Sequence, residues 1–266
     1  MIPKIIHYCW FGGNPLPKAA EDCIRSWKKY CPDYEIIEWN EKNFDVNSNL
    51  YTKQAYENKK WAFVTDVVRL YALYNYGGIY MDTDVEVIKP LDRFLEHQAF
   101  SGFEDLTNIP TGIMAAEKGH PLFKKLVEHY DSRPFLVDGQ PDLTTNVTTI
   151  TNLLLPEGFV PNNTYQEVAG FSLYPYDYFC PRDIHTMKLV VTENTYTIHH
   201  FAGSWLPKED VERQKYKIRK NKIEQKYGLH MAQIYESYHY SLKANGGDGI
   251  FAYIKGILLR RIRQGK

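Results

Sequence analysis

Two aspartates one residue apart, Asp82 and Asp84, close an apolar run in "YNYGGIYMDTDVEVIKP", residues 74–90. Carboxylate oxygens are hard ligands, and a pair at this spacing suits Mg²⁺ or Mn²⁺ held by few protein groups and completed by a diphosphate. A cation so placed is a Lewis acid that neutralises charge on a departing diphosphate. As one extended strand, the segment puts Asp82, Asp84 and Glu86 on one face and Met81, Thr83 and Val85 on the other. Three like charges in a row repel unless they are solvated or hold a cation. Hydrolysis by an acid–base pair fits poorly, because carboxylates on one strand face point the same way and cannot flank a scissile bond from opposite sides.

Two other stretches carry suitable groups. Asp66 and Arg69 stand three apart on one helix face just upstream. The forked donors of Arg69 suit a phosphate or a sugar hydroxyl, or equally a structural pair with Asp66. Gly77 and Gly78 leave room for a close backbone approach by a ligand. Near the other end, "TIHHFAGSW" (residues 197–205) offers an imidazole nitrogen to the same cation. Strand alternation lets only one of His199 and His200 face it.

The elements that must position these groups follow from periodicity and punctuation. "KIIHYCWFGG" reads as a first strand ending in a Gly-rich turn, "LPKAAEDCIRSWKKYCP" as an amphipathic helix stopped by Pro32, and "YEIIEWN" as a second strand. That order favours a parallel sheet with covering helices. Tyr51 to Tyr76 reads as helical, with Gly77 and Gly78 as its C-terminal signal. "IYMDTDVEVI" is the next strand, further strands are expected at "AFSGFE", "GIMAAE" and "YTIHHF", and a helix at "HPLFKKLVEHY". Residues 131–183 are less regular, rich in Pro and aromatics, and read as an insertion on the acceptor side. The expected division is a catalytic domain over 1–206 and a helical extension over 207–266.

Length and composition narrow the function classes. At 266 residues the chain can bury a full core in one main domain. Lys+Arg and Asp+Glu both number 32, so no global field points to nucleic acid. Four cysteines, Cys9, Cys23, Cys31 and Cys180, form no CxxC pair, which argues against a zinc site or a disulfide framework and suits a reducing cytosol. No window of about 18 continuous apolar residues suggests a membrane span, and the sequons at Asn146 and Asn162 are read as coincidental. The tail "GIFAYIKGILLRRIRQGK" combines an apolar run with five basic residues in its last twelve (Lys255, Arg260, Arg261, Arg263, Lys266). Such a segment can lie on an anionic membrane or dock on the domain as a helix with a basic end.

"GGIYMDTDVEVIKPLDRF", preceded by "WAFVTDVVRLYALYNY" and opened by "IPKIIHYCWFGG", resembles the DXD sugar-transferase family, glycosyltransferase family 32, which includes capsular polysaccharide synthesis enzymes and fungal α-mannosyltransferases. It also looks like the catalytic domain of large clostridial glucosylating toxins. The resemblance covers residues 1 to about 125 and returns at "HHFAGSW". It implies a GT-A fold, an α/β architecture with a Rossmann-like, mixed but mostly parallel sheet. It further implies a nucleotide-diphosphate sugar donor, with a UDP-sugar preferred to a GDP-sugar, a Mn²⁺ or Mg²⁺ ion, and retention of anomeric configuration.

Carried over by position, Trp10 would stack near the base, Asp66 and Arg69 would contact donor sugar or phosphates, and Tyr80 would line the donor site. Asp82 would touch ribose or metal, and Asp84 would bind the metal directly. "HFAG" matches a His-x-x-Gly motif that supplies a further ligand, which selects His200, and Ser204 and Trp205 would contact the diphosphate.

Retaining transfer requires leaving-group charge to be stabilised more than it requires a strong base, and a carboxylate or amide on the opposite sugar face can assist. "DGQPDLTTN" offers Asp138, Asp142 and Asn146 there, with Asp142 preferred, although Asp and Gly in such a stretch also serve as turn formers. The expected activity is transfer of a hexose or N-acetylhexosamine to a saccharide or lipid-linked acceptor in cell-surface polysaccharide synthesis, at the cytoplasmic face of the membrane. The alternative is a non-catalytic carbohydrate- or nucleotide-binding module on the same fold.

Overall fold

The computed structural model describes residues 1–131, 133–203, 206 and 208–245. In chain order, β1 (Ile5–Cys9) leads to α1 (Lys18–Tyr30), β2 (Glu35–Trp39), α2 (Leu50–Glu57) and α3 (Trp61–Tyr76). Next come β3 (Gly78–Met81), β4 (Val85–Val87), β5 (Ala99–Gly102), β6 (Ile113–Ala116) and α4 (Pro121–Asp131). A two-residue hairpin, β7 (Leu136–Val137) and β8 (Gln140–Pro141), precedes α5 (Asn146–Leu154), β9 (Gln166–Val168), β10 (Phe171–Tyr174), α6 (Tyr176–Phe179) and β11 (Thr197–His199). Two helices, α7 (Lys208–Tyr227) and α8 (Leu229–Asn245), follow.

Seven strands form the central sheet in the order β2-β1-β3-β6-β5-β10-β9. β1 pairs in parallel with β2 and β3, and β5 with β10, whereas β6 runs against both its neighbours and β9 against β10. Five of the seven strands therefore share one direction, giving the mixed, mostly parallel α/β sheet expected from the sequence. Apolar layers cover both faces. One gathers Val64, Val68, Leu70 and Leu73 of α3 with Phe123, Leu126 and Ile150. The other gathers Ile24 and Trp27 of α1 with Ile79, Met81, Phe94 and Phe100. In α1 the buried Ala20, Cys23, Ile24 and Trp27 recur at helical spacing. Trp27 also donates its indole N–H to the Val85 carbonyl at 2.7 Å, which fixes the start of β4. All four cysteines are buried and free.

Three local expectations change. The helix expected from Tyr51 to Tyr76 breaks into α2 and α3 at Asn58–Lys60, where Lys59 turns left-handed (φ 56°) and no apolar residue holds the turn to the core. Gly77 and Gly78 serve packing rather than ligand approach. A Cβ on either would lie 2.7 Å from backbone, the Lys118 nitrogen or the Ile5 carbonyl. Residues 131–183 are no mere insertion, because β9 and β10 complete the central sheet. Asn146 is fully buried and Asn162 is exposed.

The chain divides into two compact units, Met1–Ile184 with Leu189–Trp205, and a second that joins His185–Lys188 to α7 and α8. Within the second, α7 packs on α8 through a Tyr216–His239 stack with centroids 4.1 Å apart and a Lys220–Glu236 ion pair of 2.7 Å. Among the described residues no helix is long and apolar enough to cross a membrane. The basic tail beyond Gly249 lies outside the described residues.

Candidate active site

The site is built where β3 stops. Instead of running on as one strand, the chain turns at Asp82–Thr83–Asp84, with the Val85 amide donating to the Asp82 carbonyl at 3.0 Å, and continues as β4 in a separate two-stranded sheet with β11. The two aspartates therefore do not share a strand face. Their carboxylates converge because the turn is tight and its arms are anchored. The Asp82 amide donates to the Gly112 carbonyl at 2.8 Å, and the Asp84 carbonyl accepts from the His200 amide at 2.9 Å.

Asp82 is held from the core side. The hydroxyl of Tyr80, a buried ring, donates to Asp82 Oδ1 at 2.7 Å. Arg69 Nη2 lies 3.4 Å from the same oxygen and 3.3 Å from Asp66 Oδ1, and the guanidinium stacks over the Tyr80 ring at 4.7 Å. Arg69 is itself clamped: Nη1 donates to the Thr111 carbonyl at 2.8 Å, and Nε to the Thr65 carbonyl at 3.2 Å. Arg69 and Asp66 are buried at 5% and 7% exposure, so both act on the site from behind Asp82. Asn146 ties α5 to this point by donating to the Asp66 carbonyl at 2.8 Å, while its own carbonyl accepts from Tyr130 at 2.6 Å.

Asp84 faces β11. Its Oδ2 accepts from the Ala202 amide at 2.7 Å, and its Oδ1 lies 3.3 Å from His199 Nε2. Pairing of β11 with β4 brings His199 opposite Val85 and so beside Asp84. Asp82, Asp84 and His199 each offer a ligand atom, and these atoms lie within 4.8 Å of one another. Of the two adjacent histidines, it is His199 and not the expected His200 that lies beside both aspartates. β11 ends at His199 and the chain then swings through a left-handed Phe201 (φ 53°), which sends the His200 ring to Glu86 at 3.0 Å and near Arg182.

The charges are strongly perturbed. Burial alone would raise Asp84, but the His199 imidazole and the Ala202 amide hold it down at about 2. Burial disfavours a charged His199, yet the Asp84 carboxylate raises it well above the ordinary imidazole value. Asp66 is pushed up to about 7 by burial, with Arg69 opposing and Asp82 adding to the shift. Glu104, a half-buried carboxylate in the loop after β5, is also pushed up to about 7 by burial, with His199 opposing and Asp105 and Asp82 adding. The sequence reading missed Glu104 because nothing in its local pattern sets it apart from a loop carboxylate.

The remaining expected residues are placed as follows. Trp10 follows β1 at the sheet edge where β3 also ends, half-buried, with its indole N–H on the Asn14 carbonyl at 2.6 Å. Cys9 beside it feels the charges of Arg69, Asp82 and Asp66. Tyr80 meets the site through Asp82 rather than by lining open space. Asp142 belongs to another cluster: its carboxylate pairs with Arg133 and accepts from the Thr144 amide at 2.9 Å. Among the described residues no hydrogen bond or ion pair joins Asp142 to Asp66, Arg69, Asp82 or Asp84. Asp138 sits exposed in the β7–β8 turn. Ser204 and Trp205 lie outside the described residues.

Residues 17–101, which include both aspartates, match the family described as "Glycosyltransferase sugar-binding region containing DXD motif". The chain is 32% identical over 132 residues to inositol phosphoceramide mannosyltransferase 3 of Schizosaccharomyces pombe, covering 48% of this chain and 37% of that protein. It spans little more than a third of the length of the curated relatives it matches first. An uncharacterized glycosyltransferase, L373, of Acanthamoeba polyphaga mimivirus is 27% identical over 224 residues, covering 78% of this chain and 85% of that one. Among solved structures, PaToxG glycosyltransferase aligns at a TM-score of 0.45 and 18% identity, over 59% of this chain and 70% of that one. The family match spans both aspartates, and Asp82-Thr83-Asp84 is the Asp-x-Asp sequence within it.

Proposed function

We propose that the protein is a metal-dependent, retaining glycosyltransferase that moves a hexose or N-acetylhexosamine from a nucleotide-diphosphate sugar to a saccharide or glycolipid acceptor. The observation that carries this reading is the convergence of Asp82, Asp84 and His199 within 4.8 Å, braced by Arg69. Two carboxylates and one imidazole form the mixed O/N set that Mn²⁺ accepts, and Mg²⁺ tolerates when most remaining ligands are oxygen. The buried His199 Nδ1 without a hydrogen-bond partner marks an imidazole not yet committed on all sides. When bound, the cation would supply Lewis-acid neutralisation of the leaving diphosphate.

The chain's own residues do the rest by preorganisation. Tyr80 and Arg69 fix one oxygen of Asp82, and the Ala202 amide fixes one oxygen of Asp84, leaving the carboxylates oriented before any ligand arrives. Asp66 shares the Arg69 charge, which keeps the guanidinium from being a fully uncompensated buried cation. Trp10, on the same sheet edge, is the surface we assign to the nucleotide base, and Ser204 and Trp205 are assigned to the diphosphate on the resemblance. Asp142, engaged by Arg133, has no observed tie to this centre. The names of the mannosyl-transferring relatives favour mannose as the sugar and a phosphoinositol-lipid type of acceptor, and retention rests on the family resemblance.

Thermal melting against UDP- and GDP-sugars, each with Mn²⁺ or EDTA, tests the reading. A donor at a hundred times its dissociation constant stabilises by about 2.7 kcal/mol, a shift of roughly 5–10 °C for a chain of this size. A Mn²⁺-dependent shift with one nucleotide class supports the transferase and names the donor, whereas no shift with any donor overturns it.

A further inference from the structure

The His199 ring is enclosed on several sides by residues outside the DXD turn. Gly112 lies against it so closely that a Cβ there would sit 2.7 Å from Cε1, 2.8 Å from Nδ1 and 3.2 Å from Nε2. Gly112 needs no left-handed backbone, so its lack of a side chain serves space alone. Phe201 covers the ring at a centroid separation of 4.0 Å and a tilt of 33°. It does so from a left-handed backbone (φ 53°), which is costly for a residue with a side chain. The His199 Nδ1 is buried without a hydrogen-bond partner. The ring itself is 7% exposed.

We propose that Gly112 and Phe201 are positioning residues: they clamp the His199 imidazole so that Nε2 is aimed at Asp84 and into the cation site. This rests on reading Asp82, Asp84 and His199 as that site. A ligating histidine is commonly oriented by the groups around its other nitrogen, and loss of such support weakens metal affinity by about 10–100-fold. Gly112 has a second role in the same assembly, because its carbonyl accepts from the Asp82 amide at 2.8 Å, and the neighbouring Thr111 carbonyl accepts from Arg69. One short segment before β6 therefore sets the imidazole, one carboxylate backbone and the arginine together. Phe201 completes the clamp from the strand that carries His199. Its strained backbone turns the chain so that one ring folds onto the other.

The test is Mn²⁺ binding to the whole chain by electron paramagnetic resonance, without donor or acceptor, beside circular dichroism and melting in EDTA. Gly112→Ala, which drives a methyl into the ring, is expected to weaken Mn²⁺ binding about 10–100-fold. Phe201→Leu is expected to weaken it at least several-fold while the fold is kept. Should Gly112→Ala fail to fold, the Phe201 variant carries the test, and the ¹⁵N shifts of the His199 ring report whether the imidazole has moved. Wild-type affinity in folded Gly112→Ala and Phe201→Leu, or in folded Phe201→Leu alone where Gly112→Ala does not fold, overturns the clamp while leaving the cation reading intact. A wild-type chain that takes up no Mn²⁺ overturns both.

Discussion

Arg69 is the residue whose removal should be felt most, and its environment lets the cost be worked out. The guanidinium is 5% exposed, ion-paired to Asp66 and Asp82, bonded to the Thr111 and Thr65 carbonyls and stacked on Tyr80. Arg69→Met keeps the stem's packing but leaves two carboxylates without their shared cation. Taking one partner from a buried pair costs about 3–5 kcal/mol, or roughly 6–20 °C of melting temperature in a domain of this size. The cost should depend on pH. Asp66 sits at about 7 because burial outweighs the Arg69 charge, which itself lowers it. Near pH 5.5 the folded protein already carries a proton on Asp66, so Arg69 balances little there beyond Asp82. At pH 8 wild-type Asp66 is ionised, and in Arg69→Met it must either stay protonated or remain as an uncompensated buried charge. The loss should therefore be larger at pH 8 than at pH 5.5, and Asp66→Asn in the Arg69→Met background should restore part of it, with a coupling of about 0.5–3 kcal/mol. Urea unfolding of the single and double variants at the two pH values measures this. A cost at pH 8 below about 1 kcal/mol, or one independent of pH, refutes the buried-network reasoning.

Three further outcomes follow from the same geometry. Asp66→Asn should flatten stability against pH: the wild-type carboxyl is raised from 3.8 to about 7, so its contribution is full below pH 3.8 and fades as pH rises through 7, by up to about 4 kcal/mol. Difference curves from urea unfolding at pH 4 to 8 show whether that slope disappears. Asp84 is depressed from 3.8 to about 2, so its stabilising contribution is present above pH 3.8 and lost as pH falls through 2. Asp84→Asn should accordingly fold, melt lower at pH 7 by the equivalent of about 2 kcal/mol, and lose the Mn²⁺-dependent donor shift. Asn146→Ala strands the Tyr130 hydroxyl and removes a donor from the Asp66 carbonyl, which should cost about 1–3 kcal/mol in equilibrium unfolding.

Most of the framework was legible because apolar periodicity and Gly/Pro punctuation fix where elements begin and end. β1, α1, β2, β5, β6, α4 and α7 lie where those signals put them. The DXD aspartates could be named from local sequence, but the reason for their convergence could not. A run of β-formers through Val85 and Val87 hides the turn at 82–84, which exists because β4 leaves the central sheet to pair with β11. The same long-range pairing decides between His199 and His200. Alternation says that one of the two faces the site, and only the register opposite Val85 says which. Asp142 has the type of a turn residue, but its partner, Arg133, is set by the β7–β8 hairpin, whose closure lets the Asp142 amide donate to the Phe135 carbonyl at 2.8 Å. Asp66 and Arg69 were legible as a helix-face pair. That Arg69 would be shared with Asp82 depended on where α3 meets the end of β3.

The most direct test of the central claim is release of sugar from radiolabelled UDP- and GDP-sugars with Mn²⁺, measured for the wild type, Asp84→Asn, His199→Ala and His200→Ala. The account predicts turnover of one donor by the wild type, its loss in Asp84→Asn and His199→Ala, and its retention in His200→Ala. Turnover that survives loss of His199 but not of His200, or that proceeds equally in EDTA, contradicts it.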